Sequence, residues 1–256
     1  IKHRIENENN IEMVFNEPKV PYRETITKSA KAEYRHKKQS GGSGQFGEVH
    51  ITIEPYFDDM PEPQGVNIRN KEIEELPWGG KFAFYWCIVG GAIDNRYATA
   101  IKKGIMHEMT EGPLTGSNCQ NIRVCIYDGK MHAVDSNDIS FQLAASHAFK
   151  MAFNEAKPQL LEPYYHLEVL CEDNHTGDVM GDLQTRRAII QGMDTEGHYQ
   201  KIIAEVPLAE LKDYGSSLRS LTQGKAKFKL EFSNYQLVPS HIQENLVISN
   251  ALLSEV

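Results

Sequence analysis

The sequence predicts an α+β protein made of two α/β sandwich units, and three observations carry that expectation. From Tyr22 to Pro158, apolar runs of strand length intermix with stretches whose apolar residues recur every four positions. After Glu162-Pro163 the pattern becomes regular, in the βαββαβ order of a ferredoxin-like unit. At 256 residues the chain has room for about two domains, and it contains no internal repeat with matching residues.

Taken in order, the chain opens on a polar helix and a short strand, Ile11–Phe15, neither able to bury an apolar face alone. Asn16–Pro21, with two prolines, reads as a connector. A basic strand follows. Between Lys19 and Lys38 stand seven cations (Lys19, Arg23, Lys28, Lys31, Arg35, Lys37, Lys38) against Glu24 and Glu33. It runs through His36, Lys37, Lys38 and Gln39 into the turn Ser40-Gly41-Gly42-Ser43-Gly44-Gln45, and Glu48–Glu54 then alternates as a strand. Residues 54–76 hold seven acids and three prolines and read as a long surface loop. Phe82–Val89 is a continuous apolar run, expected as a buried strand. Asp94 can cap a helix carrying Tyr97, Ile101, Ile105 and Met109 on one face, which Gly112-Pro113 ends. Asn121–Tyr127 alternates, Tyr127–Lys130 reads as a turn, and a helix opening near Ser136 presents Phe141, Ala144, Ala145, Ala148 and Ala152.

In the second unit Tyr165, Leu167, Val169 and Cys171 alternate, Asp178–Arg187 is a short helix, and strands are expected at Ala188–Met193 and Gln200–Val206. Leu208, Leu211, Tyr214, Leu218 and Leu221 share one helix face. Phe228, Leu230 and Phe232 alternate in a last strand, and Pro239–Val247 is a terminal helix.

Composition bounds the function. With 40% hydrophobic and 24% charged residues the chain is an ordinary globular sequence, and no run of 18 apolar residues suggests a membrane span. The chain begins at Ile1 without a methionine or a signal sequence. Cys87, Cys119, Cys125 and Cys171 lack C-x-x-C spacing and are expected as buried free thiols, which points to a reducing cytoplasm. A net charge of −8 argues against indiscriminate nucleic-acid binding, although local recognition needs only local charge.

Gly42–Val49 fits the glycine loop of a protein kinase, G-x-G-x-x-G-x-V, but no His-Arg-Asp or Asp-Phe-Gly accompanies it. The phosphate-binding G-x-x-x-x-G-K-[ST], the zinc-binding H-E-x-x-H and the serine elbow G-x-S-x-G are absent as well. No catalytic or metal-ligating set is expected. A cationic strand leading into a glycine-rich tip suits a nucleic-acid backbone, and equally an exposed hairpin with a solvated stem. His132, near a strand–turn–helix junction, could stack on a base or bond a phosphate, or be a plain turn residue.

Longer motifs carry a resemblance. Val20–Ile26, His36–Gly42 with Gly44–Gly47, Val89-Gly-Gly-Ala-Ile93, Lys103-Gly104, Gly112-Pro-Leu114, Tyr127-Asp-Gly129 and His132 with Val134-Asp-Ser136 resemble the fourth domain of bacterial translation elongation factor G. Leu161-Glu-Pro163, Gly177-Asp-Val179, Gly181-Asp-Leu183, Arg186-Arg187, Glu205–Glu210, Leu218-Arg-Ser220 and Thr222-Gln-Gly224 resemble its fifth domain.

The resemblance implies residues 1–17 as the tail of a third domain and 18–160 as a ribosomal-protein-S5-like fourth domain, with an acidic insertion near 56–80. It implies 161–238 as a ferredoxin-like fifth domain, and 239–256 as a C-terminal helix and tail. It further implies a translocase part: a monomer that meets the ribosome through ribosomal RNA, the tRNA–mRNA pair of the decoding region and stalk-base proteins. GTP and magnesium would belong to an absent GTPase domain, so that this chain hydrolyses nothing. The contact residues implied are His36 to Gln45, then Asp128, Gly129 and His132, and Ser220, Thr222 and Gln223 on the second unit.

Three positions depart from the family pattern: Ser43 where arginine is usual, Ala133 where an acid is common, and the longer acidic stretch. They suggest a divergent paralogue. The alternatives are a ribosomal-protection or recycling-type relative, or a stand-alone RNA-binding module.

Overall fold

The computed structural model describes residues 19–39 and 44–254. The expected helix and strand before Phe15, the third-domain tail and the turn residues Ser40 to Ser43 lie outside them. Ten strands and five α-helices are described: β1 Arg23–Ile26, β2 Ala30–Lys38, β3 Gln45–Pro55, β4 Asn70–Glu75, β5 Lys81–Trp86, α1 Ala98–Thr110, β6 Ile122–Lys130, α2 Asp138–Glu155, β7 Pro158–Glu172, α3 Thr176–Thr185, β8 Ile189–Glu196, β9 Tyr199–Pro207, α4 Tyr214–Leu221, β10 Lys227–Leu237 and α5 Ser240–Ser254.

The first sheet runs β2-β3-β6-β5-β4. Its one parallel pair, β5 with β6, is joined by α1, as a parallel crossover requires. Val49, Ile51 and Ile53 of β3, Phe82, Phe84 and Trp86 of β5, and Ile122, Val124 and Ile126 of β6 point to one face, where α1 and α2 cover them. The predicted helix faces are the buried ones: Tyr97, Ile101, Ile105 and Met109, and Phe141, Ala144, Ala145, Ala148 and Ala152. Asp94 caps the 3-10 turn that opens α1 by accepting from Arg96 N. The α2 helix opens next to Ser136 as expected, with Asn137 as its cap, the side chain accepting from Ser140 N.

The acidic stretch departs from expectation. Part of it is the edge strand β4, and Tyr56, Val66 and Ile68 lie across the outer face of the sheet against Ala83, Tyr85, Cys87, Cys125 and Tyr127. The reason is in β5, which is apolar on both faces and needs cover on the second. Arg123, 2% exposed, stands under this cover, bonded to Glu54 Oε1 and Pro61 O, both at 2.8 Å. The exposed pairs Lys71–Glu62 and Lys81–Asp58 add little, since such pairs contribute about 0–1 kcal/mol each. Apolar contact holds the segment down. All four cysteines are free and buried, as expected.

The second sheet runs β10-β7-β9-β8, all antiparallel, with α3 and α4 in the ferredoxin-like order. Leu167, Val169, Cys171, Ile202, Ala204 and Val206 meet Val179, Leu183, Tyr214 and Leu218. The long helix expected over 208–221 is broken. Leu208–Leu211 forms a 3-10 turn, Lys212 is extended, and Asp213 takes a left-handed φ of 57° before α4 begins. The share-a-face pattern is real but spans two helical pieces.

No break falls at Glu162-Pro163, because β7 runs unbroken from Pro158. Pro163 is tolerated because it sits on one edge between β1, whose pairing ends at Leu161, and β9, whose pairing begins at Tyr164. β1 itself joins the units. It pairs with the start of β7, while on its other edge Glu24 N donates to Asn118 O and Glu24 O accepts from Gln120 N, both at 2.9 Å. The buried Glu24 carboxylate accepts from Leu114 N, Thr115 N and Ser117 N, drawing the Gly112–Ser117 loop onto the strap. The terminal helix returns to the same place, Gln243 Oε1 accepting from Leu160 N at 2.8 Å.

Candidate nucleic-acid interface

Strand directions bring three loops to one end of the first sheet. The β2–β3 hairpin turns there, β6 leaves for α2 there, and β5 leaves for α1 there. The first two are bonded to each other: Phe46 N donates to Asp135 O, and Ser136 Oγ donates to Phe46 O, both at 2.9 Å. Gly44 lies so close that a Cβ on it would stand 2.6 Å from the Asp135 carboxylate. A side chain at 44 would have to displace the Asp135 carboxylate, so glycine lets the two loops approach as they do. Gly47 serves likewise, a Cβ there meeting the backbone of Ser140 at 3.0 Å.

His132 stands 54% exposed at this junction, its ring centroid 6.2 Å from that of Phe46. Its backbone N donates to Ser136 Oγ at 2.8 Å, and Nδ1 lies 3.2 Å from both Asp135 N and Asp135 Oδ2. A neutral imidazole there accepts from the backbone N–H, and a protonated one donates to the carboxylate. Either way Nδ1 is held and Nε2 is left to meet a ligand. The carboxylate beside the imidazole is that of Asp135, a residue of the Val134-Asp-Ser136 motif.

Asp128 and Gly129 need correction. They are not in a turn but in β6, opposite His50 and Val49, with Tyr127 bulged out of register beside them. Asp128 is exposed, but its Oδ1 accepts from Gly129 N at 2.8 Å. Gly129 is buried: a Cβ would lie 2.2 Å from Glu48 O and 2.5 Å from Ile93 Cδ1. The exposed turn is Met131–Val134, one step further along.

The cations divide. Lys37, Lys38 and the neighbouring Gln39 are exposed, and His36 Nε2 lies 2.9 Å from Gln45 Oε1, tying the two sides of the hairpin. Arg23 is turned inward, its guanidinium donating to Trp78 O and lying 5.3 Å over the Tyr235 ring. Arg35 is bound to Glu48. Lys28 and Lys31 are exposed as well, so exposed charge continues along the strand below the hairpin end.

The third loop, Ile88–Asp94, is not among the contact residues expected from sequence. Gly90 and Gly91 are exposed with φ of 71° and 74°, and Ile93 packs on Gly129. Beside it Arg96 Nη2 donates to Tyr97 Oη at 2.7 Å, and Tyr97 Oη to Ser136 O at 3.0 Å. The signal was present in Val89-Gly-Gly-Ala-Ile93, between the two strands of the parallel pair.

Ser220, Thr222 and Gln223 are not brought to this end; they close α4 on the second unit. Ser220 and Gln223 are exposed. Thr222 does not face a ligand: it is 0% exposed, and its hydroxyl donates to Leu218 O at 2.7 Å and accepts from Ala226 N at 3.2 Å. It shapes the turn that presents Gln223, whose φ is 54°.

A split-sheet, S5-like sandwich followed by a ferredoxin-like one, with a cationic loop cluster at the end of the first, defines a tandem α/β module. The sequence family described as "Elongation factor G, domain IV" matches residues 18–71 and 67–157, and "Elongation factor G C-terminus" matches 159–246. The chain belongs to the elongation factor G family. It is 41% identical over 238 residues to the "Elongation factor G-like protein" of Thermotoga maritima, covering 93% of this chain and 32% of that one. Elongation factor G of Thermotoga neapolitana is 40% identical over 247 residues, covering 96% and 33%. A crystal structure from Thermus thermophilus matches with a TM-score of 0.80 and 40% identity, over 98% of this chain and 34% of that one. The chain thus spans about a third of the length of the curated relatives it matches. The domain IV match is in two pieces that meet at 67–71, within the acidic stretch.

Proposed function

We propose that this chain is the ribosome-engaging part of a translational GTPase that promotes tRNA–mRNA translocation. The hairpin and the His132 loop enter the decoding region of the small subunit, and the second unit lies near large-subunit RNA and the stalk base. The chain contributes no GTP hydrolysis; GTP and magnesium belong to a GTPase domain outside it. The observation that carries this reading is the union of two sequence-distant loops in one exposed end bearing Lys37, Lys38 and His132.

His132→Ala is tested in a protein joining this chain to a GTPase domain. Translocation is expected to slow about five- to hundredfold, the equivalent of about 1–3 kcal/mol for a base contact acting in the transition state. Ribosome-stimulated GTP hydrolysis is expected to change little, because the imidazole meets RNA far from the nucleotide. Stopped-flow translocation and phosphate-release assays on one preparation check this. Equal losses in both, or none in either, would remove His132 from the mechanism. Ser43→Arg should strengthen ribosome binding and steepen its salt dependence, measured as affinity across a salt series.

A further inference from the structure

The outer face of the first sheet, opposite its helices, carries a grid of charges beneath the tip. Strand register sets Arg35, Glu48 and Lys130 side by side on β2, β3 and β6 in one row. The adjacent row is Glu33, His50 and Asp128. With His50 protonated, every neighbour in both rows is of opposite charge. Glu48, 5% exposed, is the hub: Arg35 Nε donates to its Oε2, His50 Nε2 lies 3.0 Å from its Oε1, and Lys130 Nζ lies 3.6 Å away. His50 Nε2 also lies 3.6 Å from Glu33 Oε2. The ring of Tyr127 stands edge-on to His50 at 6.0 Å, with Lys31 5.6 Å from its centroid.

Both tip loops leave from this grid. Lys130 immediately precedes the Met131–Asn137 loop, and Arg35 lies three residues before Lys38, where β2 ends. We infer that Glu48 is a positioning residue that holds the two tip loops in one geometry, and that protonation of His50 tightens the hold. Cross-strand opposite charges stabilise a sheet, and a carboxylate shared by cations on both flanking strands ties all three strands at once. The groups facing His50 are Glu48 on its own strand, Glu33 and Arg35 on β2, and Asp128, Lys130 and Tyr127 on β6. Proton loss at His50 removes the cation that stands between Glu33 and Asp128 and beside Glu48, leaving Arg35 and Lys130 alone to hold the Glu48 carboxylate. The functional value of this hold rests on the ribosomal reading above, but the hold itself does not.

The test is hydrogen exchange of the whole chain, corrected for intrinsic rates, on wild type, Glu48→Gln and His50→Gln at pH 6 and pH 8. Glu48→Gln should raise exchange about tenfold at Phe46 and Ser136, whose amides bond across and within the loops, with Ile105 and Ala148 of the core helices unchanged. Wild type should exchange about threefold faster at pH 8 than at pH 6 at those amides. His50→Gln should abolish that difference. His36 and His132 also sit at this end, so a difference that persists in His50→Gln overturns the role of His50. Equal loosening of the core helices, or none at the loops, overturns the role of Glu48. Should Glu48→Gln fail to fold, Lys130→Gln on the exposed rim is expected to loosen residues 131–136 selectively, and its failure to do so counts against the grid. Small-subunit binding by the same proteins separates the two ideas. Loosened loops in Glu48→Gln with no binding by wild type leave the grid standing and remove the ribosomal reading; binding by wild type with loops unchanged in Glu48→Gln does the reverse.

Discussion

Arg187→Ala is expected to destabilise the second unit by about 3–5 kcal/mol, the range for stranding one partner of a buried ion pair. Glu162 is 0% exposed, and its two oxygens accept from Arg187 Nη1 and Nη2 at 2.7 and 2.9 Å. The same guanidinium donates from Nε to Glu210 Oε1 at 2.8 Å. Hydrogen bonding to the two carboxylates raises the Arg187 pKa further, so the charge is permanent. One side chain thus joins β7 to the turn after β9. Urea unfolding followed by circular dichroism measures the loss, since both tryptophans, Trp78 and Trp86, lie in the first unit. The double variant Glu162→Met/Arg187→Met should be markedly less damaged than Arg187→Ala, because no charge is then left without a partner. A double variant as unstable as the single one would show that packing, not the stranded carboxylate, sets the cost.

Gly104→Ala is expected to cost about 3 kcal/mol, toward the upper end for forcing volume into a packed interior. Gly104 is where α1 crosses α2. A Cβ there would stand 2.1 Å from the backbone oxygen of Gln142 and 2.9 Å from its carbonyl carbon. No side chain can swing away, since the obstructing atoms are main chain, so the helices must part. Helix propensity alone predicts the opposite, a gain of about 1 kcal/mol for alanine over glycine. The sign of the change in melting temperature decides between them, and a more stable variant would refute the close crossing.

Both positions lie in motifs that carry the family resemblance, Lys103-Gly104 and Arg186-Arg187. Their roles visible in the structure are packing and ion pairing. Thr222 teaches the same point, a motif residue whose hydroxyl is spent on its own helix. Motif membership marks a position as constrained without saying by what.

Helix faces were legible. Tyr97, Ile101, Ile105 and Met109 repeat every four residues, and a helix must place such residues on one side whatever surrounds it. The apolar alternation of Leu167, Val169 and Cys171 was legible for the corresponding reason in a strand. The β4 strand was not, because its Lys71-Glu-Ile-Glu-Glu75 sequence has almost no buried face, and an exposed edge leaves no apolar period to read. Asp213 was equally hidden, since a left-handed residue within a continuous apolar spacing leaves the period intact while breaking the helix.

Most of the helices and strands, their apolar faces and the cations near the turn thus follow from the order of residues. These are properties of the local backbone period and of side-chain chemistry. Which of those cations are free follows only from the folded arrangement. Arg23 is turned inward onto Trp78 and Arg35, itself exposed, is paired with Glu48, partners 55 and 13 residues away, while Lys37 and Lys38 stand exposed where the strand ends. The same arrangement joins Asp135 and Phe46, some ninety residues apart, by a hydrogen bond. Such pairings depend on strand order and register across the whole sheet, and no local window of sequence contains that information.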